Sequence, residues 1–152
     1  MAPTITVPHQ PGPSDRDAIA RALFAFNDAV AGPSGYRPLA LLIRDPDGGA
    51  TVGGLWGGTA YGWLLVELLF VPPGLRRRGL GSRLLAQAED IARRRGCRGA
   101  WLDTHGFQAP GFYRQHGYEV FGTLPDYPPG HDRFFLRKAL SPSGEGPGRP
   151  TA

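Results

Sequence analysis

Apolar and polar positions fall into two different periods along the chain. Across 15–30 the apolar residues Ile19, Leu23, Phe26 and Val30 recur at helical spacing, with Ala22 between them and Ser14 standing where a cap is wanted. Gly32-Pro33-Ser34-Gly35 ends that helix. Two short apolar runs, 39–44 and 50–56, flank the turn sequence Asp45-Pro46-Asp47-Gly48-Gly49 and predict a hairpin, with Gly57-Gly58 as a second turn. The run 63–71 is almost continuously apolar, the pattern of a central strand covered on both faces, and Glu67 interrupts it. Pro72 and Pro73 cannot continue such a strand, so they fix where it stops.

Beyond that break, Leu80, Leu84, Leu85, Ala88, Ile91 and Ala92 form one face of a helix. Its other face carries Arg83, Gln87, Asp90, Arg93 and Arg94, and Gly96 ends it. A strand at 99–104 follows, and this strand-helix-strand unit predicts a parallel pair. A short helix at 109–116, closed by Gly117, and alternating strands at 118–124 and 133–140 complete the order. Pro3, Pro8, Pro11, Gly12 and Pro13 make 1–13 an extended segment in which Ile5 and Val7 could add a short edge strand. The stretch 141–152 offers no apolar anchor and is predicted to be disordered. The expected organisation is an extended segment at 1–13, one domain at 14–140 and a disordered tail at 141–152.

Composition narrows the class. The 152 residues suit a single domain, and one cysteine, Cys97, excludes an internal disulfide and a cysteine-based metal site. No apolar run approaches a membrane span, the first residues lack a signal pattern, and the cytoplasm is the default compartment. The net charge is +4, carried almost wholly by arginine, with Lys138 the sole lysine. Arginine binds phosphate through two parallel hydrogen bonds, but no aromatic-basic interleaving accompanies the charge, and nucleic acid is not expected as a partner.

Local clustering says more than the total. Arg76-Arg77-Arg78-Gly79-Leu80-Gly81-Ser82 lies between the proline break and the helix. Glycines let several backbone N–H groups converge, a helix N-terminus adds partial positive charge, and arginines add full charge. Those are the parts of an anion site. A dinucleotide fingerprint fails because Leu84 stands at the third glycine, and no G-K-S/T follows for a P-loop.

With these residues in view, the sequence resembles the Gcn5-related N-acetyltransferases. Arg76-Arg77-Arg78-Gly79-Leu80-Gly81 is similar to that family's R/Q-x-x-G-x-G/A pyrophosphate loop, and Phe112-Tyr113-Arg114-Gln115-His116-Gly117-Tyr118 to its F-Y-x-x-x-G-F/Y segment. The resemblance implies an α/β (α+β) fold with a mixed, mostly antiparallel sheet and a central, splayed parallel strand pair flanked by helices. It implies acetyl-coenzyme A as cosubstrate and transfer of acetyl to an amine; the leading expectation is direct transfer to a primary amine of a small molecule, a cationic one suiting the acidic candidates Glu67, Asp103 and Asp126, and no metal is expected. Two other outcomes stay open, a non-catalytic acetyl-coenzyme A-binding regulatory module and an acetyltransferase acting on a protein amine. No membrane partner is expected, and a homodimer is left open.

The resemblance assigns cofactor contacts to Leu69, Val71, Arg76, Arg77, Arg78, Gly79, Leu80, Gly81, Ser82 and Gln108, the last standing where many relatives carry asparagine. Glu67 is the candidate general base, since an alkylammonium must lose a proton before it attacks and a carboxylate within an apolar strand is desolvated toward accepting one. The alternative is a glutamate paired to a neighbouring arginine. Tyr113 is the candidate general acid for the departing thiolate, or else a core tyrosine. Asn27, Tyr36, Asp103 and His131 are candidates for the acceptor site. Asp103 could equally pair with an arginine, and His131 could face solvent. The histidines His9, His105, His116 and His131 lack metal-ligand spacing.

Overall fold

The structure is a computed structural model that describes residues 1–141, so all but the first residue of the expected tail at 141–152 lies outside it. The chain divides into two units, 1–34 and the remainder from residue 35. The first unit holds one helix, α1 (Pro13–Ala31). It starts one residue before the expected cap, because Pro13 suits the first helical position and the Gly12 N–H donates to the Asp15 carboxylate at 3.2 Å. Ile5 and Val7 belong to no strand.

The second unit contains β1 (Arg37–Arg44), β2 (Thr51–Ala60), β3 (Trp63–Phe70), a 3-10 turn (Pro73–Leu75), α2 (Leu80–Arg94), β4 (Gly99–His105), α3 (Pro110–Gln115), β5 (Glu119–Leu124) and β6 (Arg133–Ala139). The six strands form one sheet in the order β1-β2-β3-β4-β6-β5. Its central pair, β3 and β4, is parallel as the strand-helix-strand pattern requires, and the other pairs are antiparallel. Leu84, Leu85, Ala88 and Ala92 of α2 join Leu64 and Val66 of β3, Ala100 and Leu102 of β4, and Leu136 of β6 in one buried cluster. Arg95, just past α2, donates to the carbonyls of Arg37 and Pro38 and to the Thr59 hydroxyl, which ties that helix end to β1 and β2.

The expected turn at Gly57-Gly58 does not form; β2 runs through both glycines to Ala60. Their role is close approach rather than reversal. In the β2–β3 ladder Trp56 faces Leu68 and Gly57 faces Val66, so Glu67 is the extra residue of a β-bulge. A Cβ at Gly57 would collide with the Leu65 carbonyl. The bulge also resets the side-chain alternation of β3: Leu64 and Val66 before it, and Leu69 and Val71 after it, all lie against the core.

A matched pair of substitutions tests this reading. Gly48 has open space around its missing Cβ and no left-handed torsion, so Gly48→Ala should leave stability unchanged or raise it by about 0.4–1 kcal/mol. Gly57→Ala should lower it by at least about 1–3 kcal/mol, the cost of overpacking. Chemical denaturation of the two variants reads the difference.

Candidate active site

The ladder between β3 and β4 stops at the pair Val66–Leu102, although both strands continue. Beyond that point they splay, and a cleft of about 890 Å³ opens between them. Val66 to Val71 form one wall, and Asp103, Thr104, Phe107, Gln108, Phe112 and Tyr113 form the other. Its end is closed by Leu75, Arg76, Arg77 and the first turn of α2, Gly79 to Ser82.

That end has the geometry of an anion cradle. Arg77 (φ 61°) and Gly79 (φ 73°) are both left-handed, which turns successive backbone amides toward one side. Gly79 precedes α2 with no side-chain cap, so the first N–H groups of the helix are left for whatever the cleft holds. Glycine at 81 also admits the Phe112 ring, whose Cζ lies 3.4 Å from the place a Cβ would take. Arg76 serves the loop itself: its Nε donates to the Val71 carbonyl at 2.8 Å and its guanidinium lies over Phe70. Arg78 is exposed and does not line the cleft, whereas the other predicted loop residues do.

Glu67 is exposed, contrary to the burial expected of a glutamate in an apolar strand, because the bulge turns it out of the sheet's alternation. Among the described residues it enters no ion pair, so the expected alternative of an arginine partner is not what the structure shows. It borders the cleft and also a second, smaller pocket. Tyr113 is buried at the cleft wall, edge-on to both Phe112 and Tyr118. Burial, with the Asp103 carboxylate adding to it, pushes the phenol up to about 12. Tyr118 is pushed up further by burial and by its hydrogen bond to Glu89, 3.0 Å away.

Asp103 accepts from the Arg133 Nε at 2.9 Å while lining the cleft, so it is an arginine's partner at the site. The Gln108 side-chain oxygen accepts from the Thr104 hydroxyl and the His105 N–H, at 3.0 and 2.8 Å, and caps the end of β4. His131 packs edge-on against Phe107 and does not line the cleft; Asn27 lies on α1, outside the cleft residues. Tyr36 joins Glu67 in the second pocket. Sequence reasoning passed over Phe107 and Thr104 in the cleft, and Trp63 and Trp101 in the second pocket. Alternation could have found the tryptophans, since each sits on the strand face away from the helix. Among the described residues, no group of three or more His, Cys, Asp or Glu is arranged to hold a metal. No helix among them is long and apolar enough to cross a membrane.

A mixed sheet whose parallel pair splays around a cleft, closed by an uncapped helix start, is a fold that this chain shares with known acetyltransferases. The model of the acetyltransferase (GNAT) family matches residues 10–118, and the chain belongs to that family. An acetyltransferase of Agrobacterium fabrum is 44% identical over 121 residues, covering 80% of this chain and 88% of the relative. Blasticidin-S acetyltransferase of Streptomyces morookaense is 50% identical over 93 residues, covering 60% of this chain and 68% of that protein. A crystal structure of a candidate acetyltransferase from Agrobacterium tumefaciens superposes with a TM-score of 0.85 at 38% identity, covering 90% of this chain and 99% of that one.

The tyrosines give a pH prediction. A phenol raised from 10.0 in the unfolded chain to about 12 in the fold contributes stability that is fully present below pH 10 and is lost as pH rises toward 12. Spectroscopic titration should show that, of five tyrosines, Tyr113 and Tyr118 resist ionisation until the protein unfolds. Tyr113→Phe should flatten the alkaline decline in melting temperature; an unchanged decline would contradict the assignment.

Proposed function

We propose that the protein transfers acetyl from acetyl-coenzyme A directly to a primary amine of a small molecule, and that it does so in the cytoplasm. The observation that carries this reading is the place of Glu67, bulged out of β3 between the cleft and the second pocket. The uncapped N–H groups of α2 and the left-handed Arg77 and Gly79 fit a pyrophosphate, and the splayed walls fit the cosubstrate's extended arm. The likeness to blasticidin-S acetyltransferase supports a small molecule as acceptor.

Acetyl-coenzyme A supplies the acetyl group as a thioester. Glu67 takes the proton of the incoming ammonium, directly or through a water, so that the nitrogen lone pair is free to attack. The new C–N bond forms as the C–S bond breaks, and the second amine proton leaves to solvent. Leu69 and Val71 line the thioester end of the cleft, and backbone amides there hold the carbonyl oxygen. Tyr113 donates a hydrogen bond to the departing sulfur. Burial raises its phenol, so the hydroxyl stays protonated until the C–S bond breaks and is placed to give its proton to the leaving sulfur, whose thiolate the same burial disfavours.

Three variants test these roles. Glu67→Gln should lower turnover roughly 10²-fold near neutral pH and recover in part at alkaline pH, where free amine is abundant. Tyr113→Phe should lower kcat while preserving the rise in melting temperature that acetyl-coenzyme A causes, and a donor with a more acidic thiol should restore part of the rate. Gly79→Val should abolish that rise, because it loads a left-handed position with a β-branched side chain. A protein that binds acetyl-coenzyme A but acetylates nothing in an amine panel would be a sensor module instead.

A further inference from the structure

The second pocket, about 350 Å³, is walled by Tyr36, Tyr61, Trp63 and Trp101, with Leu65 in its floor and Glu67 at its edge. Its aromatic rings lie where two glycines make room for them. A Cβ at Gly58 would fall 2.6 Å from the Tyr36 ring, and one at Gly99 would collide with the Trp63 indole. Trp63 pairs with Gly99, and Leu65 with Trp101, across the β3–β4 ladder, so the two indoles belong to adjacent strands on the face away from α2.

Among the described residues, the charge at this floor that enters no ion pair is negative. Trp101 stands opposite Arg137 in the β4–β6 ladder, but that guanidinium is bonded to Glu119 at 3.0 Å and lies over Phe121. Asp103, further along the same face of β4, is bonded to Arg133. Glu67 enters no ion pair among the described residues, and it is the sole charged residue lining the pocket. Four aromatic side chains beside a carboxylate that enters no ion pair attract a cation, through the ring quadrupoles and through the charge.

We propose that the acceptor carries a second cationic group, an ammonium or guanidinium, apart from the amine that is acetylated. Tyr36, Trp63 and Trp101 hold that group while the reacting amine lies at Glu67. This rests on the acetyltransferase reading of the site and adds the acceptor's class, a small polycation. Specificity then comes from charge and ring faces rather than from a network of hydrogen bonds.

The test uses the free protein and two probes of equal shape, choline and dimethylbutanol, in which a quaternary carbon replaces the nitrogen. Intrinsic tryptophan fluorescence should report choline binding about 10-fold tighter than its neutral isostere. Tyr36→Leu, at an exposed ring, should remove most of that preference, and Trp101→Phe should retain more of it than Trp101→Leu. In turnover, Tyr36→Leu should raise KM for a diamine about 10-fold more than it raises KM for a monoamine of matched length. Equal binding of the two probes would make the pocket merely apolar and overturn the proposal, even if amines are acetylated. A clear choline preference in a protein that acetylates no amine would support the pocket and overturn the acetyltransferase reading instead.

Discussion

The bulge at Glu67 is the constraint on which the rest of the site depends. A regular β3 would present Leu64, Val66, Leu68 and Phe70 to α2, and would keep its edge parallel to β4. One inserted residue moves the core face onto Leu69 and Val71, and Leu68 and Phe70 are left exposed. The strand past the bulge then leaves β4, whose own edge continues in register with β6 as far as His105. Apolar burial thus fixes a defect in hydrogen bonding, since restoring the ladder would pull Leu69 and Val71 out of the core. The cleft is the space created by that conflict. Gly57 makes it sterically affordable by letting β2 approach the displaced carbonyl of Leu65.

A buried polar cluster secures the opposite wall. Glu89 of α2 is buried, accepts from the Tyr118 hydroxyl, and accepts from Lys138 of β6 at 2.9 and 3.0 Å. Arg93 stands 3.7 Å away on the same helix. A buried carboxylate is costly unless it is paired and hydrogen-bonded, and here an ammonium and a phenol satisfy it together. The cluster links α2 to the segment after α3 and to β6, so Tyr118 is held by both. Tyr113 rests edge-on against Tyr118, which orients the hydroxyl at the cleft without a hydrogen-bonded partner of its own in the core. The helix that offers its N-terminus to an anion therefore also sets, through its middle, where the phenol stands.

Much of this order is legible in the sequence, because strong periodicity and proline-glycine punctuation specify it. The helix at Leu80–Arg94, the parallel pair and the cleft-lining loop residues follow from spacing alone or from the motif that spacing exposes. The failures share a cause. Gly57-Gly58 reads as a turn because glycine is usually a punctuator, yet here the glycines serve close approach between strands and beneath a ring, which depends on residues distant in sequence. Glu67 reads as buried because its neighbours are apolar, and a bulge cannot be seen without the partner strand. Arg78 belongs to the motif in sequence and not to the cleft, since a left-handed Arg77 swings the chain between them.

The same logic makes the anion cradle legible in a short stretch of sequence and the aromatic pocket not. Pyrophosphate is recognised by backbone amides, whose geometry demands glycines at fixed local spacing, so a short window of sequence contains the whole signal. An aromatic pocket needs only ring faces. Trp63 and Trp101 sit on β3 and β4, Tyr36 stands just before β1, and the two glycines beneath the rings sit on β2 and β4. No local spacing encodes that assembly, and alternation says only that each ring leaves the core. What brings the parts together is sheet register, which the bulge and the core beneath it determine. On the proposed reading, acceptor choice changes by exchanging single rings, while the pyrophosphate end must keep its local motif.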